Sequence, residues 1–177
     1  RDAMALEHHR QALGVPNGFT DYGEMLNHGG LDAIYVATPV NLHASQTLAA
    51  LERGLHVLVE KPMAATAGEA EAMVVRAGQQ ELTLGVAYYY HFTRINTYVR
   101  ELVGSGALGA LAALHGNASS SFNPSRDDPG AWRILRSSGG GGPLMDLGSH
   151  RLETFHSLAG PSRQVSAFSD TRRTCGD

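Results

Sequence analysis

The sequence predicts an α/β fold: a parallel sheet alternates with helices and is followed by a second region of α+β structure with a largely antiparallel sheet. Two short apolar runs, at residues 33–37 and 56–59, each end in polar residues and a proline. A helical pattern at residues 44–53 lies between them and is closed by Gly54. Strand, helix and strand within so few residues predict a right-handed crossover between parallel strands.

The end of the second apolar run carries a distinctive polar sequence. Glu60, Lys61 and Pro62 follow the run directly. Because proline lacks an amide hydrogen and favours an extended residue before it, the strand is expected to stop here. Glu60 and Lys61 then lie at the carboxyl edge of the sheet, where ligands bind in open α/β folds. The alternative is an ordinary salt bridge at a strand end.

Helix signals define the rest of the first half. Apolar residues at helical spacing predict a first helix closed by Gly14, and Asp21 is the expected N-cap of a short second helix. Thr66 and Glu69 form a capping-box pattern at the start of a longer helix. The apolar face of this helix is expected to contain Ala70, Met73, Val74 and Ala77. A further short strand is predicted at residues 82–87.

The second half carries weaker signals. An amphipathic helix is predicted at residues 93–103, and imperfect alternation at residues 110–118 predicts the first strand of a new sheet. Residues 119–138 are polar and are expected to form a long loop with at most one helical turn. A helix at residues 144–158 and a strand at residues 164–169 complete the predicted second region.

Composition excludes several function classes. The chain has 177 residues, of which 42% are hydrophobic and 18% charged, and a formal net charge of −3. These values are ordinary for a globular protein, and the lack of a basic stripe argues against nucleic acid as a partner. No apolar run approaches transmembrane length, so no membrane partner is expected. Cys175 is the only cysteine, which excludes an intrachain disulfide and favours a reducing, cytoplasmic location.

Polar residues recur on one face of the predicted helix at residues 144–158. Asp146 and His150 are four positions apart, and Glu153 continues their face. A carboxylate beside an imidazole tunes the pKa of the ring toward neutrality, which suits a general base. Two alternatives stay open: an i,i+4 pair on a solvated face, or the metal site of a hydrolase. The other histidines are scattered without ligand spacing, so no metal site is predicted.

Three groups of residues together resemble a known family. They are Thr38-Pro39 with His43, then Glu60-Lys61-Pro62, then the glycine run at 140–142 with Asp146, Gly148 and His150. Their order and spacing are similar to those of the glucose–fructose oxidoreductase/inositol dehydrogenase (Gfo/Idh/MocA) family of nicotinamide-dependent enzymes, over nearly the whole chain. The resemblance implies an incomplete Rossmann-like NAD(P)-binding domain at residues 1–89. It also implies an incomplete α/β substrate and oligomerisation domain at residues 90–177.

The resemblance also leads to a prediction about the two ends of the chain. Members of the family begin with a strand, a Gly-x-Gly-x-x-Gly turn, a helix and a second strand. This chain is expected to begin just after that second strand and to end before the second sheet is complete. The sequence is therefore predicted to be a fragment that is truncated at both ends.

By resemblance, Lys61, Asp146 and His150 would be the catalytic residues and would also contact the substrate. Oxidation of an alcohol removes a hydroxyl proton and a hydride. The resemblance implies that His150 takes the proton and that Lys61 hydrogen-bonds the same oxygen near the nicotinamide ribose. Asp146 would orient the hydroxyl and His150. Trp132 and Arg133 would lie on the substrate side, although Trp132 would serve equally well as a core anchor of its loop.

The resemblance also implies a nicotinamide cofactor. The residues expected to line its groove are Thr38, Pro39, Asn41, His43, Glu60 and Lys61. Arg1 lies just after the expected second strand, where it could pair with the 2′-phosphate of NADP or simply start a helix. The expected cofactor is NAD or NADP, with a preference for NADP.

The predicted function is an NAD(P)-dependent dehydrogenase that acts on a sugar, a polyol or a related cyclic alcohol. The alternative is a non-catalytic, nicotinamide-binding sensor that contacts another protein. The joint presence of Lys61, Asp146 and His150 favours the enzyme, since a sensor has no need of a base. The full-length protein is expected to be a homo-oligomer.

Overall fold

The computed structural model describes residues 2–117, 119, 124–125, 127–128, 130–133, 142 and 144–168. Helices and strands alternate along the first half as the sequence predicts. In chain order the elements are α1 (Ala3–Leu13), α2 (Tyr22–Asn27), β1 (Ala33–Val36), α3 (His43–Leu51), β2 (His56–Val59), α4 (Ala67–Gln79), β3 (Leu84–Val86), α5 (Arg94–Gly104) and α6 (Ser149–Ala159). The predicted α/β fold class is confirmed for the parallel sheet and its helices.

Three parallel strands form the sheet, in the order β1-β2-β3. The register pairs Val36 with Val59 and Val59 with Val86, so the carboxyl ends of the strands lie side by side. Backbone pairing continues one residue further, because the Glu60 amide donates to the Val36 carbonyl at 2.8 Å. The residues that follow β1 and β2 therefore share one edge of the sheet.

One face of the sheet carries the hydrophobic core. The inward-facing residues of β1 and β2 are buried, and residues of α3 and α4 pack against them. Leu51 and Met73 are the largest fully buried side chains, and burial of side chains of this size stabilises the fold by roughly 1.5–3 kcal/mol each. Within the described residues the opposite face is open, since Tyr35 and Leu58 are 55% and 45% exposed.

Side chains cap the helices where the sequence predicts. Asp21 Oδ1 accepts a hydrogen bond from the Glu24 amide at 2.9 Å, and Thr66 and Glu69 form a complete capping box at the start of α4. Gly14 ends α1 with a φ of 64°, a left-handed conformation that glycine adopts without steric cost. These local interactions explain why the helix boundaries are close to the predicted ones.

The apolar face of α4 differs from the prediction at one residue. Met73 and Ala77 are buried, whereas Val74 is 57% exposed. Successive residues of an α-helix are rotated by about 100°, so Val74 is carried off the face that Met73 presents to the sheet.

The second region is described mainly through its helices. Helix α5 matches the predicted one, whereas the last predicted helix is a π-helical turn at Leu144–Gly148 followed by α6. In the described part of the predicted loop, a 3₁₀ turn covers Ala131–Arg133. Residues 111–117 and 164–168, where strands were predicted, carry no strand. A strand needs a neighbour for its hydrogen bonds, and neither segment pairs with another part of the described chain. The antiparallel second sheet therefore remains a prediction.

Several predicted features fall outside the described residues. They include Arg1, most of the loop at residues 119–138, the glycine run up to residue 141, and Cys175. Among the helices that the structure does describe, none is both long and apolar enough to cross a membrane.

Candidate active site

A cleft of ≈ 300 Å³ opens at the carboxyl edge of the sheet. Its volume is at the lower end of the range typical of small-molecule sites. The lining comes from the ends of β1 and β2, the 3₁₀ turns that begin at Val40 and Ala131, and the turn that precedes α6. The lining residues are Ala37, Thr38, Val40, His43, Glu60, Lys61, Pro62, Trp132, Arg133 and Asp146. Seven of the residues singled out from the sequence thus meet in one cleft, namely Thr38, His43, Glu60, Lys61, Trp132, Arg133 and Asp146.

Lys61 projects into this cleft from the end of β2. Its Nζ donates to Asp146 Oδ1 at 2.5 Å and to the Asp146 carbonyl oxygen at 3.0 Å. The lysine side chain is 15% exposed and the aspartate 39%. An ammonium group has three N–H donors, so one remains for a further acceptor. Lys61 is also the only lysine in the sequence.

Asp146 lies in a π-helical turn, Leu144–Gly148, that leads directly into α6. The sequence suggested that its carboxylate would lie beside His150, one α-helical turn away. The structure instead joins Asp146 to Lys61 through both its side chain and its backbone. A π turn holds more residues than an α turn and changes the direction in which residue 146 projects relative to residue 150. The connection links the start of α6 to the end of β2.

His150 packs among tyrosines and does not line the cleft. Its ring is 4% exposed, and its centroid lies 6.0, 5.3 and 4.4 Å from those of Tyr88, Tyr89 and Tyr90. Burial, and then the positive charge of Lys61, lower the pKa of His150 below its ordinary value, while Asp146 opposes this shift. The neutral imidazole is therefore favoured. Its Nδ1 is buried without a hydrogen-bond partner in the described part of the chain.

The buried side chain of His43 connects the segments that follow β1 and β2. The residue is 1% exposed, and its Nε2 and Nδ1 lie 2.7 and 2.9 Å from the carbonyl oxygens of Thr38 and Pro62. A neutral ring donates through only one of these nitrogens at a time. The Thr38 hydroxyl is itself engaged, since it donates to Gln46 Oε1 at 2.8 Å. These contacts fix the backbone that forms one wall of the cleft.

The remaining predicted cofactor residues are located less centrally. Pro39 begins a 3₁₀ turn, Val40–Leu42, which carries Asn41 on an exposed surface outside the cleft lining. Val40 does line the cleft and is 3% exposed, although the sequence gave no polar signal there. The proposed contact of Arg1 lies outside the described residues.

Three contacts were missed from the sequence, and two of them are long-range. His91 Nδ1 lies 2.6 Å from Glu153 Oε1, and the Arg100 guanidinium donates to the His91 carbonyl at 2.6 Å. The first contact joins α6 to the turn at Tyr89–Phe92 across 62 positions, a distance that local patterns do not cover. The other long-range contact is the hydrogen bond from the Tyr35 hydroxyl to Glu60 Oε1 at 2.5 Å. Both residues follow the outward alternation of adjacent strands, which is a signal that could have found this pair.

Neither a phosphate-binding turn nor a metal centre is found among the described residues. Gly104, Gly106 and Gly109 match the spacing of a Gly-x-Gly-x-x-Gly motif, but the motif begins at the last residue of helix α5. A dinucleotide turn requires a strand before it and a helix after it. No group of three or more His, Cys, Asp or Glu side chains in the described ranges is suited to hold a metal ion.

Comparison with family models gives two matches along the chain. Residues 1–88 match the model of the GFO/IDH/MocA oxidoreductase family, NAD-binding Rossmann fold. Residues 97–176 match the model of the GFO/IDH/MocA C-terminal domain. Together the two models account for nearly all of the sequence.

Curated relatives agree with these models. The chain is 34% identical over 164 residues to D-xylose 1-dehydrogenase (NADP(+)) 2 of Haloferax volcanii, which covers 93% of this chain and 49% of the relative. It is 30% identical over 145 residues to scyllo-inositol 2-dehydrogenase (NADP(+)) of Bacillus subtilis, and the match covers 81% of this chain and 39% of the relative. It is 28% identical over 159 residues to levoglucosan dehydrogenase of Pseudarthrobacter phenanthrenivorans, and the match covers 90% of this chain and 41% of the relative. The chain thus spans about half or less of the length of these relatives.

A solved structure shares the fold. Levoglucosan dehydrogenase, in complex with NADH and levoglucosan, superposes with a TM-score of 0.83 at 26% identity. The match covers 90% of this chain and 43% of that structure.

Proposed function

Since the chain belongs to the GFO/IDH/MocA family of oxidoreductases, we propose that the complete protein transfers a hydride between NAD or NADP and a sugar, a polyol or a related cyclic alcohol. The names of its relatives, which act on D-xylose, levoglucosan or scyllo-inositol, support this substrate class. Two of those names include NADP, and the structural neighbour binds NADH, which supports a nicotinamide cofactor.

The observation that carries the proposal is the ammonium of Lys61 at the carboxyl edge of the sheet. Asp146 holds this ammonium with two hydrogen bonds and leaves one N–H for the cleft. As an alcohol is oxidised, negative charge develops on its oxygen while the proton leaves. A fixed cation beside that oxygen stabilises the developing alkoxide and lowers the barrier. When bound, the nicotinamide ring supplies the acceptor for the hydride.

His150 is the proposed base. Removal of a hydroxyl proton requires a neutral acceptor, and burial favours the neutral imidazole. The rings of Tyr88, Tyr89 and Tyr90 pack around the imidazole. Asp146 has a supporting role in this scheme, because it orients Lys61 and its charge partly offsets the effect of Lys61 on the pKa of His150.

The chemistry of the cleft suits the nicotinamide end of the cofactor. Glu60 supplies a carboxylate acceptor, and Lys61 an ammonium donor, beside the backbone that His43 clamps. Ribose hydroxyls and a carboxamide complement these groups. We assign Thr38, Pro39 and Asn41 to the same half of the cofactor, and Arg1 to the 2′-phosphate of NADP.

The substrate side is assigned to Trp132 and Arg133. The Arg133 guanidinium lies 4.7 Å from the centroid of the Trp132 ring, a cation–π geometry that holds both groups at the cleft. An aromatic face packs against the C–H face of a sugar ring, and a guanidinium donates to its hydroxyls.

In this scheme residues 1–89 bind the cofactor and residues 90–177 contribute the substrate side. Residues 90–177 also provide the contacts of a homo-oligomer, and the complete protein is cytoplasmic.

The alternative of a non-catalytic sensor is not favoured. A sensor needs the cofactor groove but has no use for a buried neutral imidazole near a fixed ammonium. The family relatives named above are all dehydrogenases.

Replacement of Lys61 by methionine in the complete gene product tests the proposal. The Lys61→Met protein is expected to lose about 10²- to 10³-fold in kcat on a responsive polyol or sugar, because one stabilising donor to the developing alkoxide is removed. The cofactor should still bind, as measured by NADPH fluorescence, because the other residues of the groove are unchanged. Arg76→Met is the control, because it removes a cation from an exposed ion pair with Glu52 on the covered side of the sheet. Near-normal turnover of Lys61→Met on a panel of sugars and polyols would contradict the assignment.

A further inference from the structure

We infer that Tyr35 is a positioning residue for the nicotinamide end of the cofactor site, because its hydroxyl fixes the carboxylate of Glu60 at the edge of the cleft. This inference rests on the proposed function and extends it to a residue on the open face of the sheet. Tyr35 itself does not line the cleft.

The carboxylate of Glu60 is held at both oxygens. Its Oε1 accepts from the Tyr35 hydroxyl at 2.5 Å, and its Oε2 accepts from the Lys61 amide at 3.0 Å. A hydroxyl bonded to a carboxylate at this distance is a charge-assisted hydrogen bond, which is stronger than one between neutral groups. The hydrogen bond to Glu60 also raises the pKa of Tyr35, so the phenol stays protonated and keeps donating.

Packing alone does not account for Tyr35. The core residues of β1 are Ile34 and Val36, which are 7% and 3% exposed, whereas Tyr35 points to the other face and is 55% exposed. A side chain that remains half in water gains little from burial. The hydrogen bond to Glu60 is therefore its principal contribution in the described structure.

The position of Glu60 affects Lys61 as well. The two side chains follow one another at the strand end, yet the Lys61 ammonium bonds Asp146 and not Glu60. With both oxygens held by Tyr35 and by the Lys61 backbone, the Glu60 carboxylate stays apart from the ammonium and keeps lone pairs for a ligand. A ribose hydroxyl or a carboxamide N–H is a donor of the right kind. An acceptor fixed before binding loses less conformational entropy when the ligand arrives.

The test compares four variants of the complete gene product: Tyr35→Phe, Glu60→Ala, the double variant, and Tyr98→Phe. Tyr98 is a matched control, because it is 60% exposed on α5. Dissociation constants are measured for NADH and NADPH by fluorescence, and for ADP by competition. ADP contains neither the nicotinamide nor its ribose.

Tyr35→Phe is expected to weaken binding of the preferred dinucleotide about 5- to 10-fold, which corresponds to the loss of one hydrogen bond of average net strength. The ADP constant should stay within about twofold of the wild-type value. Tyr35→Phe should cause no further loss when Glu60 is already alanine, because a residue that acts only through Glu60 has nothing left to position. The Tyr98→Phe control should match the wild type throughout.

Three results would overturn the inference. One is an unchanged dinucleotide constant in Tyr35→Phe. Another is an equal loss for ADP together with a lower melting temperature, which would indicate a structural role. The third is a full Tyr35→Phe effect in the Glu60→Ala background. If the wild-type protein bound neither dinucleotide, the proposed function would fail before any variant was measured, and the inference about Tyr35 would fall with it.

Discussion

Burial of the His150 ring lowers the pKa of the proposed base. Desolvation is the main cause of its lowered pKa, and the positive charge of Lys61 adds to the effect. A base with a lowered pKa stays neutral at more acidic pH, so activity is expected to persist to lower pH than with an ordinary histidine. In the complete protein, kcat/KM for alcohol oxidation should fall only below the ordinary histidine pKa of about 6.5.

Rate profiles of kcat/KM against pH measure this directly. His150→Ala should remove the acidic limb along with most of the activity, whereas His8→Ala, on the exposed surface of α1, should leave the limb unchanged. An acidic limb that persists in His150→Ala would show that another group takes the proton.

The proposed role of Arg1 can be tested through the choice between NAD and NADP. If its guanidinium pairs with the 2′-phosphate, Arg1→Ala in the complete gene product should lower the NADP preference, as a ratio of kcat/KM values, about tenfold or more. Arg10→Ala is the control, because Arg10 is engaged with Glu7 at 2.7 Å within α1. A wild-type preference for NAD would contradict the assignment without any variant.

At the residue scale, the sequence predicts what depends on neighbours along the chain. Glu60 and Lys61 could be assigned to a strand end because the apolar run and Pro62 lie beside them. The pairing of Lys61 with Asp146 spans 85 positions and depends on how α6 reaches the sheet. No local pattern contains that information. The contact between Tyr35 and Glu60 spans 25 positions, and strand alternation places both side chains on the outward face without pairing them.

At the scale of single elements, the capping box of α4 is the clearest case in which sequence determines a boundary. Thr66 Oγ1 accepts from the Glu69 amide at 3.2 Å, and Glu69 Oε2 accepts from the amides of Ala65 and Thr66 at 3.0 and 3.2 Å. Thr66→Ala leaves one of these donors unsatisfied and should lower the free energy of unfolding by about 1 kcal/mol.

Urea unfolding followed by circular dichroism checks this value. Glu71→Ala is the matched control on the same helix, since Glu71 is exposed and takes no part in the cap. Its effect should stay within about 0.5 kcal/mol. Equal stabilities for Thr66→Ala and Glu71→Ala would mean that the cap contributes nothing measurable.

The elements that the sequence did not predict depend on contacts beyond the element itself. The π turn at Leu144–Gly148 carries no distinctive sequence pattern, and its Asp146 accepts a hydrogen bond from Lys61, which follows β2. The strands expected at residues 110–118 and 164–169 rested on alternation alone, and pairing partners were not part of that signal. The predictions of β1 and β2 were correct because Gly30 and Pro39 bound the first run, and Gly54 and Pro62 bound the second.

At the scale of the whole molecule, the sheet is covered on one side only in the described structure. Helices α3 and α4 pack on the inner face, while Tyr35 and Leu58 are exposed on the outer one. Within the described residues, β1 and β3 each have one strand neighbour, which leaves an unpaired edge on either side. Open apolar faces and unpaired edges favour association between copies.

The purified 177-residue chain is therefore expected to self-associate at micromolar concentration, as sedimentation velocity would show. Leu58→Lys places a charge at the centre of the open face, where β2 pairs with both neighbours, and should shift the population toward the monomer. Leu152→Lys is the matched control, because Leu152 is 53% exposed but lies on α6, outside the sheet. A monomeric wild-type chain, or equal association of the two lysine variants, would show that the open face is not what drives association. Association relieved by Leu58→Lys alone would identify the sheet face as the surface that the chain buries against other protein.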